Sequence, residues 1–280
     1  MTTEQNENGV ESNGVNSKND EPIEKCTIEI DGITLHYARR GHGPINMLMT
    51  SGTLGSYDDF IDFMNHINAD QFTVVAWDKP GYGRSRPPDR QQCVARAQKD
   101  AKLAIVLMQK LNLTPFAACG WSEGARVSCH IAHQGKMRKL VTHMILWGAG
   151  CYINEVGVKR FERLSNVDQW PPETLKPFVD MYGMEYFRNE WKALSDLLKE
   201  VHTRFNGAFP SMMVLDQIKV PVLVLQGTSD LYGRGSMFLE KIKHAKYVEW
   251  ENSNHQMHME EGDRFHKEIT EFILQNPPNL

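Results

Sequence analysis

The chain has 280 residues, of which 41% are hydrophobic and 24% charged, a balance that excludes disorder throughout and suits a soluble protein with a sizeable core. Its net charge of −4, from 31 basic against 35 acidic residues without a long basic run, offers nucleic acid no continuous electrostatic footprint. The longest apolar stretches, 141–147 and 220–225, fall far short of the roughly 20 residues that span a bilayer, so neither nucleic acid nor a membrane is an expected partner.

Residues 1–24 are rich in Asn, Glu, Ser and Gly and carry no apolar leader or Arg-rich transit pattern, which predicts a disordered N-terminal tail on a cytoplasmic protein. The five cysteines are odd in number and lack a CxxC pair; they suggest neither a disulfide framework nor a zinc site. The remainder, 25–280, is long enough for one α/β domain.

Order is expected to begin with the alternating runs 26–30 and 33–37, joined by Asp31-Gly32 as a two-residue hairpin. Six apolar runs follow, at 46–50, 72–77, 115–119, 141–147, 220–226 and 246–250. Helical periodicity lies between most of them, at 58–67, 93–111, 123–133, 235–242 and 260–274, the pattern of buried parallel strands under crossover helices. The predicted fold is a mostly parallel sheet of about eight strands with helices on both faces. The interval 151–216 contains helical periodicity and many aromatics but no convincing strand. It reads as an inserted helical cap, placed to roof a pocket beyond the carboxyl ends of the strands.

Gly120-Trp121-Ser122-Glu123-Gly124 matches G-x-S-x-G between an apolar strand and a helix, the context that a nucleophile elbow requires. There a serine sits on a strained turn, and the flanking glycines let strand and helix approach. Its hydroxyl needs a histidine to take the proton and an acid to orient that histidine. Asp230, in the loop after 220–226, and His255, in the polar loop after 246–250, follow in the expected order on the same sheet edge. His258 is the alternative base, lying closer to the next helix, and Glu155 the alternative acid. His130 and His133 share metal-like spacing, but no carboxylate or cysteine completes a site; they read as surface histidines, and no metal or cofactor is expected. The oxyanion donors fall to the backbone N–H of Glu123 and, from the loop Ser51-Gly52-Thr53-Leu54-Gly55-Ser56, to that of Thr53, with Leu54 as its neighbour. Gly81-Tyr82-Gly83 lacks the third glycine of a dinucleotide fingerprint and reads as a tight turn near the active edge.

Trp77-Asp78, Gly81-Tyr82-Gly83, Ser85-Arg86-Pro87-Pro88, Gly120-Trp121-Ser122, Trp147-Gly148-Ala149 and Asn254-His255 resemble the α/β-hydrolase superfamily, and within it the biphenyl hydrolase-like group (valacyclovir hydrolases). The resemblance implies hydrolysis of small-molecule esters, α-amino-acid esters favoured, by Ser122, Asp230 and His255. Separately, a monomer is expected. It also implies that the acidic residue after the nucleophile, here Glu123 where relatives carry aspartate, faces the pocket and receives the substrate's ammonium group. Ala125, Ser51 and Leu231 depart from the superfamily pattern without removing a catalytic group. Carbon–carbon bond hydrolysis on the same triad, and ligand binding without catalysis, are the rival functions.

Overall fold

The computed structural model describes residues 21–278. Most of the predicted tail, 1–20, lies outside the described residues; 21–24 lie within them, and the first strand, β1, starts at Glu24.

β1 (Glu24–Ile30) and β2 (Ile33–Arg40) form the expected hairpin across Asp31-Gly32, with both turn residues at positive φ. β3 (Ile45–Thr50), β4 (Phe72–Trp77), β5 (Phe116–Trp121), β6 (Val141–Trp147), β7 (Val222–Gly227) and β8 (Lys246–Trp250) complete an eight-stranded sheet of order β1-β2-β4-β3-β5-β6-β7-β8. Only the β1–β2 and β2–β4 pairings are antiparallel. β4, β5 and β7 are buried at every position, which is why they read as continuous apolar runs, as strands covered on both faces do.

The helices among the described residues are α1 (Ile61–His66), α2 (Arg96–Lys110), α3 (Glu123–Gly135), α4 (Glu155–Leu164), α5 (Pro172–Tyr182), α6 (Met184–Arg204), α7 (Met237–Lys241), α8 (Met257–Glu260) and α9 (Gly262–Gln275). α2 starts three residues later than its periodicity predicts, because 93–95 form a turn in which the Arg96 N–H donates to the Cys93 carbonyl. One apolar layer joins α2 and α3 to the sheet and another joins α1 and α9 to the opposite face. α9 buries Phe265, Ile269, Phe272 and Ile273, each contributing about 1.5–3 kcal/mol. No helix of the described residues is long and apolar enough to cross a membrane.

Between β6 and β7 the chain runs through α4, α5 and α6 with only an isolated bridge, Tyr152–Ala208, of strand character. These helices have their own apolar cluster around Phe187, Trp191, Leu194 and Val201. Two tyrosines tie them to the loops after β3 and β4. The Tyr182 hydroxyl donates to the Leu54 carbonyl at 2.8 Å and accepts from the Gly83 N–H at 2.7 Å. The Tyr186 hydroxyl donates to the Gly81 carbonyl at 2.7 Å.

Candidate active site

β5 runs through Trp121 and α3 begins at Glu123, so Ser122 alone makes the turn between them, with φ 55° and ψ −114°. A serine at positive φ is uncommon and costs on the order of 1–3 kcal/mol, a strain that the surrounding packing must hold. The glycines explain how. A Cβ on Gly120 would lie 2.3 Å from the Gly124 carbonyl oxygen, and one on Gly124 would lie 2.0 Å from that of Thr50. Both contacts are to backbone, so neither can be relieved by a side-chain rotation. Gly124→Ala is therefore expected to displace the elbow and lower kcat/KM about 10²-fold, with a fold destabilisation visible in thermal unfolding; wild-type activity and melting temperature would contradict this.

The loops after β7 and β8 bring Asp230 and His255 together. His255 Nδ1 lies 3.0 and 3.1 Å from the two Asp230 carboxylate oxygens. The Asp230 side chain is fully buried while that of His255 is 19% exposed. Burial alone would raise the Asp230 carboxyl, but the hydrogen bond and charge of His255, with the N–H groups of Tyr232 and Gly233, outweigh it and hold the carboxyl below its ordinary range. The histidine ring stands between Trp121, at 5.4 Å, and Tyr232, at 5.0 Å. Trp121 Nε1 donates to the His255 carbonyl at 2.8 Å. Behind the ring Gly148 has φ 57°, and a Cβ there would meet His255 Nδ1 at 3.0 Å.

A cavity of about 330 Å³ opens onto this edge, lined by Ser122, Asp230 and Thr53 together with residues of α4 and α6. Thr53 is thus on the pocket wall. Its neighbour Leu54 has φ 56°, an unusual conformation for a branched side chain. The backbone N–H groups of Thr53 and Glu123 make no hydrogen bond among the described residues.

The Glu123 side chain corrects the expectation that it faces the pocket to receive an ammonium group. It is 0% exposed and already neutralised: its carboxylate pairs with Lys79 at 3.4 Å, with Arg90 at 3.3 Å and with Arg96. Burial would raise this carboxyl, yet Arg96, Lys79 and Arg90 together hold it well below the usual range. The carboxylate also accepts from Thr53 Oγ1 at 3.2 Å, while Lys79 Nζ donates to the Ser51 and Gly52 carbonyls at 2.9 Å each. Glu123 therefore anchors, from below, the loop that carries Thr53. This cluster was missed in the sequence; the charged residues Lys79, Arg90, Arg96 and Asp100, near the Gly-Tyr-Gly turn and at the start of α2, carry the signal that would have revealed it, since buried cations need a counter-charge.

The alternatives separate clearly. The Glu155 carboxylate is exposed on α4 and pairs with Lys159 at 2.6 Å. His258 is 2% exposed and packs against Phe60, Trp121, Trp147 and Phe265. Trp147 Nε1 donates to its Nδ1 at 3.2 Å. Burial first, and His255 second, push it down to about 3. An unfolded histidine, at about 6.5, binds a proton that native His258 refuses, so stability present above pH 6.5 is lost as pH falls towards 3. About 2 kcal/mol should disappear between pH 6.5 and 5 from this residue. Unfolding by urea across that range should show a shallower pH slope in His258→Leu; equal slopes would contradict the assignment. His130 is likewise buried, at 1% exposure, rather than a surface residue, and no group of three metal-ligating side chains occurs among the described residues. The spacing of His130 placed it on a helix face without revealing that this face packs inward.

With sheet, elbow and acid–histidine pair in place, the chain belongs to the α/β-hydrolase fold family, whose model matches residues 45–179, and it is a serine hydrolase homologue. It is 30% identical over 255 residues to the human protein Serine hydrolase BPHL, covering 90% of this chain and 87% of that one. The mouse counterpart is 28% identical over the same coverage. Among solved structures, the enol-lactonase from Burkholderia xenovorans superposes with a TM-score of 0.70 at 19% identity, covering 89% of this chain and all of that one. An esterase from Thermogutta terrifontis gives 0.66 at 18% identity, covering 91% and 99%. At such identities the structures carry the fold alone.

Proposed function

We propose that the protein hydrolyses carboxylic esters through an acyl-enzyme on Ser122. His255 takes the Ser122 proton as the hydroxyl oxygen attacks the ester carbonyl, and Asp230 fixes the imidazole with Nδ1–H towards the carboxylate and stabilises the imidazolium. The backbone N–H groups of Glu123 and Thr53 receive the oxyanion. Collapse expels the alcohol, which takes the proton from His255; water, deprotonated by the same ring, then releases the acid. The observation that carries this reading is that the strained Ser122 and the Asp230 paired with His255 share one cavity.

The α-amino-acid preference implied by the resemblance rests on a carboxylate that faces the pocket. The one carboxylate on the cavity wall, Asp230, is engaged with His255 and two backbone N–H groups, and Glu123 is neutralised by its cations. The proposed substrate class is therefore esters without an obligatory amine. Rapid mixing with a 4-nitrophenyl ester should give a nitrophenolate burst equal to the enzyme concentration, with the acyl group recovered on the Ser122 peptide. Ester turnover that survives in Ser122→Ala would overturn the proposal.

A further inference from the structure

The cavity wall inverts the charge of the chain. The protein as a whole carries −4, yet three arginines, Arg126, Arg160 and Arg234, line the cavity against the single carboxylate of Asp230. That carboxylate is already committed to His255. The arginines are not. None has an ion pair among the described residues, and their side-chain hydrogen bonds go only to backbone carbonyls: Arg126 to Gly150 at 3.3 Å and Arg160 to Leu231.

Arg126 lies four residues after Ser122 on α3, and so one turn along the same face as the elbow. Its guanidinium sits 4.2 Å from the centroid of Phe209, which fixes the side chain while leaving most of its five donors unused. Burial, with Arg96 as the second cause, pulls it down to about 10, still cationic at neutral pH. Arg160 lies 5.6 Å from the ring centroid of Tyr232, the same ring that packs on His255. Half-buried guanidinium groups held by aromatic rings, with donors to spare, suit planar recognition of a carboxylate or similar oxyanion.

Resting on the ester-hydrolase reading above, we infer that the natural substrate is an anionic ester, whose charged group, separate from the scissile bond, is bound by Arg126 together with Arg160 and Arg234. An ammonium-bearing ester enters this cavity against three arginines, none of them in an ion pair among the described residues, although Glu123 lies within electrostatic range of Arg126.

The test uses the full chain and two sets of probes. The first is three 4-nitrophenyl esters of six-carbon acids ending in carboxylate (the adipate monoester), methyl (hexanoate) or ammonium (6-aminohexanoate). The second places the charge on the leaving group: 4-acetoxybenzoate against methyl 4-acetoxybenzoate, each rate taken relative to hydroxide hydrolysis. The expected result is a kcat/KM preference of roughly 10–100-fold for the anionic member of at least one set, with the ammonium ester slowest. That preference should shrink in Arg126→Met, be partly retained in Arg126→Lys, and shrink in Arg160→Gln, which tests the cavity should Arg126→Met fail to fold. Equal rates for anionic and neutral members in both sets, a preference for the ammonium ester, or ratios unchanged in the arginine variants would overturn the inference. Failure to turn over any ester, with Ser122 unlabelled by an active-site probe, would instead refute the ester-hydrolase reading beneath it.

Discussion

Asp230→Asn should lower kcat by about 10⁴-fold while leaving the fold intact, the magnitude known for the corresponding change in a well-studied serine protease. The carboxylate accepts from His255 Nδ1 and from the N–H groups of Tyr232, at 2.7 Å, and Gly233, at 3.1 Å. An amide can keep the backbone contacts with its oxygen but offers its NH₂ to the imidazole, which selects the wrong tautomer for accepting the Ser122 proton. The loss should therefore fall on kcat rather than KM, measured on a neutral nitrophenyl ester alongside a circular dichroism melt. A loss of less than tenfold would mean that Asp230 does not orient the base. Glu155 is exposed and paired with Lys159 instead.

Glu123→Gln is expected to act through stability and the oxyanion loop. Removing the charge leaves Lys79, Arg90 and Arg96 buried around a neutral amide, with Asp100 the remaining counter-charge and already bidentate to Arg90 at 2.8 and 2.6 Å. Breaking a buried pair by deleting one partner typically costs 3–5 kcal/mol, roughly what is expected here. Lys79 holds the Ser51 and Gly52 carbonyls and Glu123 holds the Thr53 hydroxyl, so the loop should loosen and kcat should fall with it, by up to about the 10²–10³-fold seen when one oxyanion donor is lost. Urea denaturation and steady-state kinetics check both parts. A variant as stable as wild type, altered only in its ratio between esters with and without an α-amino group, would restore a pocket-facing Glu123.

These two residues show which parts of the site could be read from the sequence. The sheet was legible because strands covered on both faces must be continuous apolar runs, and 72–77 and 141–147 match β4 and β6 to the residue. The placement of Ser122, Asp230 and His255 past the ends of parallel strands was legible because each sits in a polar or glycine-rich loop, and parallel strands deliver such loops to one edge. Glu123 was misread because helix position gives a residue's direction only relative to its own axis. The carboxylate points away from the cavity towards Lys79, Arg90 and Arg96, and pairing across 44 and 33 positions leaves no periodic trace. Arg126 was missed for the opposite reason: its signal was local, four residues after the nucleophile, but a lone arginine in an amphipathic helix reads as solvated until a cavity is seen beside it.

The central claim is that Ser122 is the activated nucleophile of this cavity. Incubation with a fluorophosphonate probe followed by intact-mass and peptide analysis tests it directly. The wild-type protein should gain one phosphonyl group, located on Ser122, and Ser122→Ala should gain none. A wild-type protein left unlabelled under conditions that label a control esterase, or labelling that persists in Ser122→Ala, would contradict it.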